Sequence, residues 1–322
     1  MSPAWRTASG PPTPCSAVPG TPSAARPTPP WSPASTTTWS AVPEPRVSAL
    51  VVNYNTRDDL ARCLDHLAAS RETVETLVLD NASVDGSVAV AQRTDVRLFA
   101  SPVNQGFAAG NNLLARRARC PLLLLLNPDA FVRPDTVTRL ADTLEERPDL
   151  GGVAPRLVGL DGETQRTCRR LPGYWDLFTE LSGLSRLLPD SDLFNRWKMG
   201  GFAHDEAREV EQVFASCWLV RRADYLALDG FDTAFPIFFN DVDLARRLLE
   251  LRGPTLYDPS HSVVHIGGAS VRRVRARSIL NSHRAFHRYL VKYGRPLDPR
   301  RWPAALLLAL AAPLRVLTAR MR

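Results

Sequence analysis

Between Val47 and Leu126, four short apolar runs alternate with stretches of helical spacing. No other feature limits the fold as tightly. The runs are Val47–Val52, Glu75–Leu79, Val96–Phe99 and Leu122–Leu126, each of strand length. After the first, Leu60, Cys63, Leu64 and Leu67 fall on one helical face. Val84–Arg93 and Phe107–Arg119 read as the next two helices. Parallel strands need a crossover of about a dozen residues or more, usually a helix. The alternation therefore predicts an α/β domain with a mostly parallel, Rossmann-like central sheet and helices on both faces.

The ends of these runs carry the polar residues: Asn53 and Asn55, Asp80 and Asn81, Asn127 and Asp129. Open α/β sheets bind ligands at the carboxyl ends of their strands, so three such ends point to one site. Neither G-x-G-x-x-G nor a P-loop sequence is present, which removes the common dinucleotide and nucleoside-triphosphate fingerprints. Further along, Tyr174–Leu188 reads as an apolar-faced helix and Phe214–Val220 as a strand. Ala223–Leu228 and Asp241–Arg252 read as helices, the second closed by Gly253. Ser262–Ile266 is the expected last strand and Ser278–Tyr293 a helix rich in Arg and His. Residues 150–215 show no clear period.

Composition narrows the class. Hydrophobic residues make up 44% of the 322, enough for a substantial core. The five cysteines are scattered and form no C-x-x-C pair, which argues against a disulfide framework or a structural zinc site and fits a reducing compartment. The net charge of +7 is unevenly spread. Residues 272–322 hold thirteen Lys/Arg and one acid, +12; residues 1–46 give +2; the middle, 47–271, is therefore 7 − 12 − 2 = −7. An acidic body with a basic tail is unlike a nucleic-acid binder and like a domain with a localised anion site.

The two ends read differently from the body. Residues 1–46 form a Pro-rich segment expected to be disordered, with twelve of the 27 prolines in its first 45 positions. It has no apolar h-region of a secretory signal. Residues 47–271 form the expected catalytic domain and 272–322 a basic helical tail. The apolar run 303–314, broken by Pro313, is too short to span a bilayer, which needs about 20 residues. Flanked by Arg300, Arg301, Arg315, Arg320 and Arg322, it suits a helix lying on an anionic membrane surface, or else one packed on the domain.

Each polar cluster admits a plain alternative. Asp129 is placed to bind a divalent cation beside a diphosphate, yet Asn127-Pro-Asp129 is also good turn chemistry. In Asn240-Asp-Val-Asp243, a carboxylate is available as proton acceptor, yet Asn and Asp are also the preferred helix caps. His265 suits a metal site or a structural role. Asn104–Asn112 is a small-residue loop entering a helix, fit for a phosphate or simply capped.

The order of these motifs is more specific than any one of them. Val-Val-Asn-Tyr-Asn (51–55), Asp-Asn-Ala-Ser-Val-Asp-Gly-Ser (80–87), Asn104–Asn112, Leu-Leu-Asn-Pro-Asp-Ala (125–130), Asp-Gly-Phe-Asp-Thr-Ala-Phe (229–235) and Asn-Asp-Val-Asp-Leu (240–244) occur in one run. Over residues 47–290 this closely resembles the family 2 glycosyltransferases of GT-A fold, in particular their rhamnosyltransferase-like branch. The resemblance implies an inverting transfer of a sugar, with rhamnose a candidate, from a nucleoside-diphosphate donor to a glycan or polyprenyl-linked acceptor in cell-envelope synthesis. It implies that Asn53, Asn55 and Asp80 hold the nucleoside, and that Asn104, Gly110 and Asn111 flank the diphosphate. Asp129 and His265 would hold Mg²⁺ or Mn²⁺, and Asp241 would be the general base. It also implies a cytoplasmic enzyme, peripheral on the inner face of the plasma membrane through residues 272–322. Asn240 stands where the family usually has Glu, which removes a like charge and leaves Asp241 and Asp243 both open as the base. Two other readings compete: a sugar-phosphate nucleotidyltransferase, which expects a Gly-rich basic loop where Asn53–Thr56 stands, and a degenerate sugar-nucleotide-binding module.

Overall fold

A computed structural model describes residues 44–267, 275–295 and 297–320. Most of the Pro-rich segment and the expected boundary at 271–272 lie outside the described residues. Arg46, on the disordered side of the expected first boundary, is instead ion-paired to Glu72 (2.7 Å), Asp142 (3.0 Å) and Glu145 (2.7 Å).

The sheet begins as the alternation predicts. Strands β1 (Val47–Asn53), β2 (Val74–Asn81), β3 (Val96–Ser101) and β4 (Leu122–Leu126) are joined by helices α1 (Arg57–Ala68), α2 (Ser87–Ala91) and α3 (Gly106–Arg117). They pair in parallel in the order β3-β2-β1-β4. Beyond β4 come β5 (Ala130–Phe131), α4 (Thr136–Glu146) and β6 (Gly152–Val158). The chain continues through α5 (Tyr174–Ser182), α6 (Leu184–Leu187), β7 (Arg208–Val210), β8 (Cys217–Arg221), α7 (Arg222–Ala227), α8 (Asn240–Leu251) and β9 (Thr255–His265). Strand β8 lies antiparallel between β4 and β6, and β9 runs parallel to β6 with β5 and β7 antiparallel on it. Of the nine strands, β1, β2, β3, β4, β6 and β9 share one direction.

Both faces of the central strands are buried, which explains why their sequences are continuously apolar rather than alternating. Val47, Ala49 and Val51 of β1 pack with α1 and α4, while Leu50 and Val52 pack toward α3 and α8. Gly110 in α3 is needed for that second contact. A Cβ there would stand 2.8 Å from Leu79 and 3.0 Å from Val52, closer than packed carbon atoms come.

Three departures from the expected elements have local causes. Tyr174–Leu188 is two helices, broken at Gly183, whose φ of 81° is left-handed. The last strand starts at Thr255 rather than Ser262, and pairing with β6 shifts register after Pro155. Helix α10 (Arg301–Arg320) continues past Pro313 and follows α9 (Arg275–Tyr293). A third apolar cluster joins these two helices to the body through Phe235, Phe239, Phe286, Tyr289 and Leu308. Among the described residues no helix is long and apolar enough to cross a membrane.

Candidate functional site

Shared direction brings the carboxyl ends of β1, β2, β4 and β9 to one edge of the sheet. At the β1–β2 end, Asn53 is fully buried and its amide serves the protein itself. It donates to Asp80 Oδ1 (2.9 Å) and Ser83 Oγ (3.2 Å), and its oxygen accepts from the Thr56 hydroxyl (2.6 Å). The buried Asp80 carboxylate also accepts from the Ser83 amide (2.9 Å). Asn55, at a left-handed φ of 53°, has its amide on Ser83 Oγ and its side-chain oxygen on the Val84 amide, both 2.9 Å. The loop after β2 is thus tied to the end of β1 by four side chains.

Asn104 accepts from the Gly106 amide (2.9 Å) and helps to start α3, the plain role weighed for this loop. Gly110 faces the sheet, as described. Asn111 is buried, donates to the Phe107 carbonyl (3.0 Å), and its Oδ1 has no partner among the described residues. Its neighbour Asn112 ties α3 to the Asp229–Phe231 turn: Oδ1 accepts from the Tyr225 hydroxyl (2.7 Å) and the Phe231 amide (2.8 Å).

The β4–β9 end is built differently. Ala130 of β5 pairs with His265 of β9, which sets Asp129 Oδ1 3.5 Å from His265 Nε2. His265 Nδ1 is 2.8 Å from Gln165 Oε1, and Gln165 Nε2 donates to the His265 carbonyl (2.7 Å). An amide oxygen only accepts, so Nδ1 carries the proton and the Nε2 lone pair faces Asp129. Burial pushes the His265 pKa down, keeping the ring neutral, against the opposing pull of Asp129. Asp129 Oδ2 accepts from the Gly267 amide (3.1 Å), and the Asn127 amide donates to Ser216 Oγ (3.2 Å) and lies 3.4 Å from His265 Nε2, a contact that a cation would replace. One carboxylate and one correctly oriented imidazole nitrogen fit a divalent cation that takes its remaining ligands from a diphosphate. No cluster of three or more acidic, His or Cys ligands occurs among the described residues.

Helix α8 separates the two acids of Asn240-Asp-Val-Asp243. Asp243 is fully buried and spent: Arg247 Nε (2.8 Å) and Nη2 (2.6 Å) bind one oxygen, and Lys292 Nζ (2.5 Å) and the Tyr293 hydroxyl (2.7 Å) bind the other. It fastens α9 to α8. Asp241 caps in part, accepting from the Val242 amide (2.9 Å), but among the described residues its Oδ2 meets only Gln212 Nε2 (3.2 Å). Burial raises its pKa to about 6 against the opposing hydrogen bonds and the Arg169 guanidinium. Burial therefore outweighs the loss of a neighbouring acid at Asn240, which acts in the other direction. Phe239, just before, holds a left-handed φ of 66° and is locked by Trp197, Phe286 and Tyr289.

The chain between Gln212 and Ser216 connects the two clusters, since Gln212 touches Asp241 and Ser216 touches Asn127. Four residues extend at most about 14 Å, which bounds the separation of the Gln212 and Ser216 Cα atoms. Gln165, Gln212, Arg169 and Ser216 all fall in or next to the stretch 150–215, whose irregular loops give no periodic signal.

Residues 48–205 match the family model described as glycosyl transferase family 2. The N-acetylglucosaminyl-diphospho-decaprenol L-rhamnosyltransferase of Mycobacterium tuberculosis is 27% identical over 286 residues, covering 83% of this chain and 92% of that protein. The succinoglycan biosynthesis protein ExoO of Rhizobium meliloti is 33% identical over 131 residues, covering 38% of this chain and 36% of that protein. Among solved structures, the mannosyltransferase PcManGT of Pyrobaculum calidifontis in complex with GDP-Man and Mn²⁺ aligns with a TM-score of 0.54 at 19% identity, covering 87% of this chain and 74% of that one. Residues 1–349 of S. aureus TarS align at 0.50 and 16% identity, covering 84% and 82%. At such identities the structural matches speak for the fold.

Proposed function

We propose, from the premise that this chain is a family 2 glycosyltransferase of the rhamnosyltransferase-like kind, that it transfers a hexose, with rhamnose the first candidate, onto a lipid-linked sugar acceptor with inversion. Asp241 takes the proton of the acceptor hydroxyl. The freed oxygen attacks the anomeric carbon opposite the diphosphate; the new C–O bond forms as the sugar–phosphate bond breaks, and the nucleoside diphosphate leaves with the electron pair. One displacement inverts the anomeric centre, through an oxocarbenium-like transition state as in glycoside hydrolysis.

The observation that carries this reading is the contrast on α8: Asp243 has four hydrogen bonds to Arg247, Lys292 and Tyr293, whereas Asp241 keeps an oxygen held by one amide and a pKa near 6. A base with that pKa is ionised at neutral pH and still strong enough to accept a proton in the transition state. Asp129 and His265, with Gln165 orienting the ring, would hold the cation. Its nitrogen ligand suits Mn²⁺ better than Mg²⁺, which keeps to oxygen. When bound, such a cation neutralises charge growing on the leaving diphosphate. The frame of Asn53, Asn55 and Asp80 supports the loop that would face the nucleoside, and Asn104 and Asn111 would flank the diphosphate.

The outward side of α10 carries exposed Trp302 (81%), Leu306 (61%) and Leu310 (59%) beside basic residues, which supports a surface contact with an anionic membrane. The test is a transfer assay with a panel of nucleoside-diphosphate sugars, polyprenyl-diphosphate N-acetylglucosamine as acceptor, and Mn²⁺. A disaccharide-lipid product with inverted linkage is expected. Donor binding without transfer to any glycan or lipid-linked acceptor would leave the degenerate binding module instead.

A further inference from the structure

Between α9, α10 and the loop before α8 lies a cavity of about 900 Å³ that the transfer chemistry leaves unused. Small side chains make it. Helix α10 turns Ala305, Ala309 and Ala312 toward the space, while its leucines at 306, 307 and 310 point outward. The hollow is open to solvent along Ile237, Leu280 and Ala309, which are exposed, and the three alanines leave it wide enough to admit a ligand. It lies at the upper end of the volumes that small-molecule sites enclose, about 300–1,000 Å³.

The walls say what kind of occupant fits. Ile237, Phe238, Leu280 and Leu308 make most of the lining apolar. Among the described residues no Asp or Glu lines it, while Arg284, His287 and Arg288 stand along the α9 side. Arg284 is exposed and has no ion pair among the described residues; Arg288 reaches the Ala234 carbonyl of the loop opposite. The third wall, residues 236–238, leads directly into α8, so Asp241 follows Phe238 by three residues, at most about 11 Å along the chain. An apolar hollow with a cationic edge therefore has one wall that runs into the segment bearing the proposed proton acceptor. Its complement is a molecule apolar along its length and anionic at one end.

We infer that this cavity holds the first isoprene units of the acceptor's lipid chain, with Arg284 and Arg288 at its diphosphate. The inference rests on the lipid-linked acceptor proposed above. A bilayer face would engage the outward residues of α10; the hollow, bordered by two helices and a loop, suits a single chain.

The test measures binding of prenyl diphosphates of five, ten and twenty carbons to the full chain, with inorganic diphosphate as control. Affinity should rise at least tenfold from the five- to the twenty-carbon chain. Ala309→Trp, with unchanged melting and unchanged donor binding, should erase that rise; Ala305→Ile gives the same readout should the bulkier variant not fold. Arg284→Glu should weaken all three prenyl diphosphates several-fold. Equal affinity at every chain length, or a rise that survives both cavity variants, overturns the inference. The two proposals separate in one further comparison. Chain-length-dependent binding without transfer to any lipid-linked sugar removes the acceptor reading and leaves a prenyl-diphosphate site that is not the acceptor's. Transfer with equal KM for long- and short-chain acceptors keeps the acceptor reading and removes the cavity assignment.

Discussion

The strand ends at β1–β2 and those at β4–β9 with α8 carry the same residue types and use them in opposite ways. At the first, Asn53, Asn55, Asp80 and Ser83 bond chiefly to one another and to the turn they hold. At the second, Asp129 and His265 face each other across 3.5 Å, with the ring's lone pair met by the Asn127 amide at 3.4 Å, and Asp241 keeps an oxygen held by a single amide. An acid at the end of a strand is thus a scaffold or a reagent according to how many donors surround it. The pair on α8 shows this within one helical turn, because Asp243 is surrounded and Asp241 is not.

Substitutions at that pair give the largest effects and should move activity and stability in opposite directions. Asp241→Asn is expected to lower kcat by about 10²–10⁴-fold, the range of general base catalysis, with donor binding unchanged. The same change should raise the melting temperature at pH 7. The folded-state pKa, about 6, lies above the unfolded value of 3.8. The folded chain therefore favours the protonated form, and this contribution, complete below pH 3.8, is lost as pH rises through 6. For wild type, kcat/KM should fall about tenfold per pH unit below 6. Near-normal turnover in Asp241→Asn, or a flat profile between pH 5 and 7, would break the comparison.

Asp243→Ala should do the reverse, costing about 3–5 kcal/mol in urea unfolding because it takes the carboxylate from Arg247 and leaves Lys292 with Asp232 alone, beside a buried gap. A loss below about 1 kcal/mol would mean that Asp243 is not an anchor.

Gln165→Ala comes next. It removes the acceptor that fixes the His265 ring, and the Mn²⁺ concentration giving half-maximal rate should rise about 10–100-fold, without loss of rate at saturating metal. An unchanged requirement would put the cation elsewhere.

The smallest expected effect is on the outer face of α10. Leu306→Gln with Leu310→Gln should lower co-sedimentation with anionic vesicles several-fold, with stability changed by no more than about 0.5 kcal/mol per site. Undiminished sedimentation would count against a membrane contact through this face.

The sequence by itself determined the β1–β4 half of the sheet. Continuous apolar runs such as Val47–Val52 and Leu122–Leu126 are what strands buried on both faces require, and α1 follows from the spacing of Leu60, Cys63, Leu64 and Leu67. The strand-end acids were visible for the same reason, as polar residues that interrupt an apolar pattern. Tertiary structure alone decided which of them are free to react. Asp243 is neutralised by Lys292 and Tyr293 from about fifty positions away, and His265 is oriented by Gln165, one hundred positions away. Such partners leave no local period, because a hydrogen bond depends on where two side chains meet in space and not on their spacing along the chain.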